Sequence, residues 1–346
     1  MKKHSISYVP LMRDGHVLLA LPLHPDLAQD TLNLYQPQKW KGRLTRSIYR
    51  GLSRAGIHRL LPKFTIIDGS KGLLSVLNEQ LGVDSIGFLL GNPAGKNRNM
   101  IGVIGIKNQP YVVKAGYSES ANGVRREHEN MRRFSGRISC IPRVMTSCSF
   151  GDAPETGFAY VADMVEGDSP RHLKEHNEVL GLLHEWLDSG VKKRLGDLKP
   201  WSLMLSATEE AGIARDVVDG ISSLEVVSPI VHGDFAPWNI KMKTGLPPRV
   251  IDWESAEECG VPGWDGMHYQ IQRWQLVEGV ADSDIYLRLT EWIKSNEMTD
   301  YWRKTGLDGI EDILLASYLI YSSCVQGFER KGLLKHWMAD NKQTNG

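Results

Sequence analysis

The apolar pattern of this chain changes its period near Gly167, and that change limits the fold more than any other feature of the sequence. Upstream, the apolar runs are short and bounded by turn residues. "SIGFLLGN" (85–92), "NMIGVIGIK" (99–107) and "PYVVKAG" (110–116) are β-like, and the turns between them are short enough for an antiparallel meander. A helical stretch follows over about 121–135, then two further β-like runs, "RVMTSCSFG" and "GFAYVADMVEG". Downstream the spacing is mainly helical, over 171–189, 207–224, 265–278, 283–296 and 309–326. Short β-like segments at 230–253 interrupt it. The expected class is α+β with two lobes: a small antiparallel β lobe carrying one helix, then a larger helical lobe. A chain of 346 residues is long enough to give each lobe its own core.

Residues 1–67 stand apart as an N-terminal extension. "ISYVPL" and "HVLLALPL", joined by "RDG" (13–15), predict a β-hairpin, and 25–38 reads as loop. From Lys39 to Lys63, Trp40, Leu44, Ile48 and Leu52 recur every fourth residue, with Lys41, Arg43, Arg46, Arg50 and Arg54 largely between them. That spacing predicts a basic amphipathic helix. The whole chain is neutral, yet residues 1–67 hold 11 Lys and Arg against 3 Asp and Glu. No acidic residue falls between Asp30 and Asp68. Three readings are open for 39–63: docking on its own domain, lying on an anionic membrane surface, or binding an anionic glycan or lipid-linked substrate. Nucleic acid is not expected, because the remaining chain is acidic and carries no recognition motif. A short helix is expected over 70–82, with Ser70 as N-cap and Gly82 as its stop. The expected division is 1–67, a nucleotide-binding lobe at 68–163 and a catalytic helical lobe at 164–340, with the join near "YVADMVEGD" (160–168).

The four cysteines, Cys140, Cys148, Cys259 and Cys324, form no C-x-x-C pair and no zinc spacing. Arg13, Asp14 and His16 interrupt the first apolar stretch, which argues against a signal peptide. "ILLASYLIYSSCV" (313–325) is too short and polar to span a bilayer. A cytoplasmic protein with reduced thiols is expected, with the inner membrane face as the site of any peripheral contact.

"IVHGDFAPWNI" (230–240) carries the chemistry. An apolar strand end runs into His-Gly-Asp, and Asn239 follows Asp234 by five residues. "RVIDWES" then places Asp252 after another apolar run, 13 residues beyond Asn239. Phosphoryl transfer from Mg-ATP needs this set: one carboxylate to orient the acceptor hydroxyl and take its proton, and an amide oxygen with a second carboxylate to hold Mg2+. His232 reads as a structural loop anchor, and Trp238 and Trp253 as packing residues.

The same chemistry needs a lysine on phosphate. "YVVKAG" offers Lys114, a cation inside an apolar strand, where it is costly unless paired. Its partner should be a glutamate of the next helix. Val124, Met131 and Phe134 mark that helix's apolar face, and Glu127 lies on it while Glu129 does not.

Together these segments resemble the aminoglycoside phosphotransferase and choline kinase family, relatives of the protein kinases. "HGDFAPWN" (232–239) is similar to the family's HGD-x-x-x-x-N loop, Ile251–Glu254 to its IDWE, and "VVKAG" with "RREHENM" to its lysine and glutamate. "PGWDG" (262–266) resembles a further motif whose aspartate, here Asp265, is structural. The resemblance covers roughly residues 70–330. It implies a protein-kinase-like fold, an ATP- and Mg2+-dependent kinase, Asp234 as the catalytic carboxylate, and Asn239 and Asp252 as metal ligands. It also implies a nucleotide site of Lys114, Glu127, the loop glycines Gly91 and Gly95 in "GNPAGKN", and the backbone at Ala162 and Met164, where the family's inter-lobe segment meets adenine. A protein-kinase G-x-G-x-x-G is absent, and residues 1–67 have no counterpart in the minimal fold. The acceptor expected is a small hydroxyl compound, with a saccharide or glycan precursor near the membrane suggested by the basic segment. An aminoglycoside or choline-type acceptor is the alternative, and a catalytically silent pseudokinase the competing reading of another class.

Overall fold

The computed structural model describes residues 4–13, 15–35, 40–90, 99–152, 156–210, 216–328 and 331–344. The chain divides into two compact units, Met1–Ser135 with Ile141–Glu166, and Gly136–Cys140 with Gly167–Gly346.

The first unit contains β1 (His4–Arg13), β2 (His16–Pro22), α1 (Pro25–Asn33), α2 (Trp40–Arg54), β3 (Phe64–Asp68), α3 (Leu73–Leu81), β4 (Ile86–Leu89), β5 (Met100–Ile106), β6 (Gln109–Tyr117), α4 (Glu119–Phe134), β7 (Val144–Phe150) and β8 (Gly157–Asp163). Its strands form one eight-stranded antiparallel sheet, ordered β3-β1-β2-β4-β5-β6-β8-β7. The expected hairpin and the β4-β5-β6 meander are both present. Between β5 and β6, Lys107 and Asn108 both have positive φ (50° and 63°), the conformation of a tight two-residue hairpin turn.

Both faces of this sheet are covered, and strand alternation sorts the residues. Tyr8, Ala20, Phe88, Ile104, Val113, Ala115 and Val161 pack on one face with Leu73, Leu74 and Leu77 of α3. Val9, Leu19 and Leu21 point the other way, onto Ala28 and Leu32 of α1. α4 packs on β6 and β8 through Val124, Met131 and Phe134, all buried. Burial pushes the thiols of Cys148 and Cys140 up to about 11 and about 12. Both therefore behave as small apolar side chains, and among the described residues no cysteine forms a disulfide.

Several expectations are corrected here. Residues 25–33 are helix, not loop: Pro25 sits in the first turn, where its missing N–H costs nothing, and Leu27, Ala28, Thr31 and Leu32 give the buried face. The basic helix ends at Arg54 instead of running to Lys63, because Gly56 turns left-handed (φ 69°) and a 3-10 turn at Ile57–Leu60 leads into β3. Residues 1–67 also supply β1, β2 and β3 to the main sheet. At α3 the N-terminal cap is not Ser70. The Asp68 carboxylate accepts the Ser75 N–H at 2.8 Å, and Gly82 stops the helix in the left-handed conformation as expected.

The second unit contains α5 (Leu173–Asp188), β9 (Val191–Arg194), α6 (Lys199–Glu210), α7 (Asp216–Asp219), β10 (Glu225–Ser228), β11 (Ile240–Lys241), β12 (Arg249–Val250), α8 (Trp264–Gln272), α9 (Asp282–Ile293), α10 (Asn296–Thr305), α11 (Glu311–Ile320) and α12 (Lys331–Thr344). The helix expected at 207–224 begins earlier, at Lys199 with Pro200 in its first turn, and 225–228 pairs as β10 with β9. The four residues of β9 are exposed, so its pairing left no apolar period to read. α8 and α11 each end in a π-turn, Arg273–Val277 and Tyr321–Val325. Among the described residues, no helix is long and apolar enough to cross a membrane.

Candidate functional site

In the second unit the HGD loop is held by its backbone before its side chains do anything. Val231 exchanges both backbone hydrogen bonds with Glu257 at 3.0 Å. The chain then turns at Gly233 with φ 79°, and a Cβ there would lie 2.4 Å from the Ser255 carbonyl oxygen, so only glycine fits. The N–H groups of His232 and Gly233 donate to the Asp265 carboxylate at 2.6 and 3.0 Å. Burial pushes the Asp265 carboxyl up from its usual range, against the pull of these two donors. Asp265 is thus the structural aspartate the sequence suggested.

His232 is an anchor as well. Its Nε2 faces the Ile251 carbonyl at 3.0 Å, which can only accept, and its Nδ1 accepts the Asp234 N–H at 3.3 Å. Both ring nitrogens are thus engaged within the loop, which leaves no lone pair free to act as a base. Trp253, fully buried, donates to the Val250 carbonyl at 2.8 Å and packs edge-on against His232 and Trp186, so its packing role is as expected.

Asp234 and Asn239 come together through the 3-10 turn Pro237–Asn239. The Asn239 Nδ2 donates to the Asp234 carbonyl at 2.9 Å and to its Oδ2 at 3.1 Å. That fixes the amide so that Oδ1 is the atom able to face a cation. The other Asp234 oxygen, Oδ1, lies 3.1 Å from Nε2 of His268. Burial raises the Asp234 carboxyl, but the His268 hydrogen bond and charge, with help from His232 and Asn239, outweigh it and hold the group below its usual value. Asp234 is about a third exposed (35%), so it is both ionised at neutral pH and reachable.

Asp252 is placed by the β11–β12 ladder. Ile240 pairs with Val250, and the Ile251 N–H donates to the Asn239 carbonyl at 2.9 Å. Asn239 and Asp252 therefore emerge at the same open end of the ladder. Asp252 adopts a left-handed conformation (φ 72°, ψ 53°), which aspartate and asparagine tolerate better than other side chains. Among the described residues, no three His, Cys, Asp or Glu side chains gather as a metal cage. The Asn239 amide oxygen and the Asp252 carboxylate could hold Mg2+ if phosphates completed its coordination sphere.

In the first unit, Lys114 sits on β6 between Val113 and Ala115 and points to the face opposite them, beneath α4. Its Nζ lies 2.6 Å from Oε2 of Glu127, with the two side chains 11% and 2% exposed. Glu129 is exposed. Ala162 lies inside β8, paired with Val112 and Val144, and Met164 follows the end of that strand. Gly91 and Gly95 lie outside the described residues.

Three residues of the loop's surroundings were not foreseen. His268 on α8 is 2% exposed, and its Nδ1 meets the Tyr318 hydroxyl of α11 at 2.9 Å. Gln326, just past the π-turn, donates to the Gly233 carbonyl at 3.3 Å. The one available signal was that His268 lies three residues after Asp265, on the same helix face.

No family model and no curated protein matches the chain. Among solved structures it is similar to a thermostable mutant of the aminoglycoside phosphotransferase APH(4)-Ia, at 17% identity and TM-score 0.48, over 79% of this chain and 99% of that one. It is similar to a protein assigned as a fructosamine-3-kinase from Haemophilus somnus 129PT, at 14% identity and TM-score 0.44, over 78% and 96%. It is also similar to the spectinomycin phosphotransferase APH(9)-Ia, at 14% identity and TM-score 0.42, over 77% and 93%.

Proposed function

We propose that this chain is an ATP- and Mg2+-dependent phosphotransferase of the aminoglycoside phosphotransferase and choline kinase type, with a protein-kinase-like fold, moving the γ-phosphate to a hydroxyl of a small molecule. The observation that carries it is Asp234: an ionised, reachable carboxylate held by Asn239 and His268, with Asp252 at the same end of the ladder as Asn239. Asp234 orients the acceptor hydroxyl and takes its proton as that oxygen bonds to the γ-phosphorus and the bond to ADP breaks. Asn239 and Asp252 would hold Mg2+, which neutralises phosphate charge. Lys114 positions the phosphates, and Glu127 orients Lys114. Gly91 and Gly95 would approach the phosphates by their backbone, and the backbone at Ala162 and Met164 would meet adenine. With the five polar side chains present, a silent pseudokinase is disfavoured.

The acceptor we favour is a saccharide or glycan precursor. Residues 255–346 hold 14 acidic against 9 basic side chains, which keeps a cationic acceptor such as an aminoglycoside as the second reading. Thermal denaturation with Mg-ATP tests the enzyme without knowing the acceptor. Ligand at 100 times its Kd adds about 2.7 kcal/mol. Asp252→Asn is the variant of choice, because asparagine keeps the left-handed backbone while losing the charge. A magnesium-dependent shift that this variant loses supports the reading. A folded protein with no shift for Mg-ATP or Mg-GTP rules it out.

A further inference from the structure

The apolar stripe of α2 faces outward. Trp40, Leu44 and Ile48 are 68%, 53% and 53% exposed and form one ridge along the helix. The opposite, polar side is the docked one. Tyr49 donates its hydroxyl to the Pro10 carbonyl at 3.2 Å, Arg46 and Arg50 both bond Asn33 of α1, and Ser53 is buried. A helix that packs on its own unit normally does the reverse.

Cations border the ridge on both sides. Lys41 lies on one flank, its ammonium 5.9 Å from the Trp40 ring centre, and exposed Arg43 and Arg54 lie on the other. The segment that follows adds exposed Ile57 and Leu60 (83%) with exposed Arg59 and Lys63. No carboxylate interrupts this stretch between Asp30 and Asp68.

We propose that this face of α2 docks on an anionic lipid bilayer surface, lying in its plane. Charge complementarity and the apolar ridge together select that occupant. A soluble polyanion would meet the cations but give Trp40, Leu44 and Ile48 nothing to enter. A bilayer interface takes the ridge to the level of the acyl boundary while lysine and arginine reach back to the phosphates. Among the described residues no helix can cross the membrane, so the attachment is peripheral. The inference stands apart from the phosphotransfer reading, since it uses none of the same residues.

The test is co-sedimentation of the full chain with phosphatidylcholine vesicles, with and without phosphatidylglycerol, beside a soluble heparin oligosaccharide as competitor. Wild-type protein should pellet with the anionic vesicles, less so with neutral ones, and less as salt rises. The triple variant Trp40→Ser, Leu44→Ser, Ile48→Ser and the charge variant Lys41→Glu, Arg43→Glu should each weaken pelleting by about tenfold or more. The substituted apolar side chains are exposed, so circular dichroism and thermal midpoint should match wild type. Failure to pellet with anionic vesicles overturns the proposal. So does undiminished pelleting of the triple variant, or heparin binding that the triple variant keeps while vesicles bind neither protein.

Discussion

Lys114→Met should destabilise the first unit far more than the loss of one surface ion pair would. The Glu127 side chain it leaves behind is 2% exposed, and the lysine it removes is 11% exposed. Stranding one partner of a buried pair costs about 3–5 kcal/mol, against about 0–1 kcal/mol for a solvated pair. At about 2–4 °C per kcal/mol, that lowers the midpoint by about 6–20 °C. Glu127→Leu alone should cost a similar amount by removing the lysine's buried carboxylate. The double variant Lys114→Met, Glu127→Leu removes both charges at once and should be neutral or stabilised by about 1–4 kcal/mol relative to wild type. Scanning calorimetry of the four proteins gives the coupling energy. The second readout separates stability from function: the double variant, although stable, should lose the Mg-ATP shift. A single Lys114→Met cost under about 1 kcal/mol would show that the pair is not desolvated as its burial indicates. A double variant that keeps the full Mg-ATP shift would remove Lys114 from the phosphate site.

The remaining predictions concern the loop. In His268→Phe, burial of Asp234 acts without its principal hydrogen bond, so the carboxyl should titrate at higher pH. In wild type the folded value is depressed, so the stabilisation it brings is complete above the unfolded value of about 3.9 and fades as pH falls through the folded one. The variant should therefore lose activity at higher pH on its acid side, read as an upward shift of the acid limb of kcat/KM. A merely structural histidine would lower activity without moving that limb. Gly233→Ala forces a side chain into a left-handed turn against the Ser255 carbonyl and should cost about 1–3 kcal/mol with loss of activity, measured by urea denaturation and turnover.

What the sequence revealed and what it hid follow from how far each signal reaches along the chain. Glu127 was separable from Glu129 because helical periodicity is local and four residues fix a face. The HGD loop and Asp252 were legible because one hairpin, closed within about a dozen residues, brings them together. α2 shows the limit of the same reasoning. Its period identified an amphipathic helix, but not that the polar side is the one that docks, since that depends on Asn33 and Pro10. α10 carries buried Met298, Tyr301, Trp302 and Thr305 at helical spacing and could have been read. β9 could not, because pairing with β10 alone holds its exposed residues.

His268 was hidden for a related reason: it meets Asp234 from 34 residues away. One helix nonetheless does two different jobs for the loop. Asp265, in the first turn of α8, fixes the backbone at His232 and Gly233; His268, one turn later, fixes the side chain of Asp234. The two act on different variables. Loss of the Asp265 carboxylate leaves two backbone donors without their acceptor and should move the loop itself, at about 1–3 kcal/mol for each group left unsatisfied. Loss of the His268 imidazole leaves the loop in place and removes a partner that holds the Asp234 carboxyl below its usual value. The spacing that puts both on one face of α8 therefore couples where the carboxylate sits to how readily it is protonated, and Tyr318, 2.9 Å from the His268 Nδ1, extends that contact to α11.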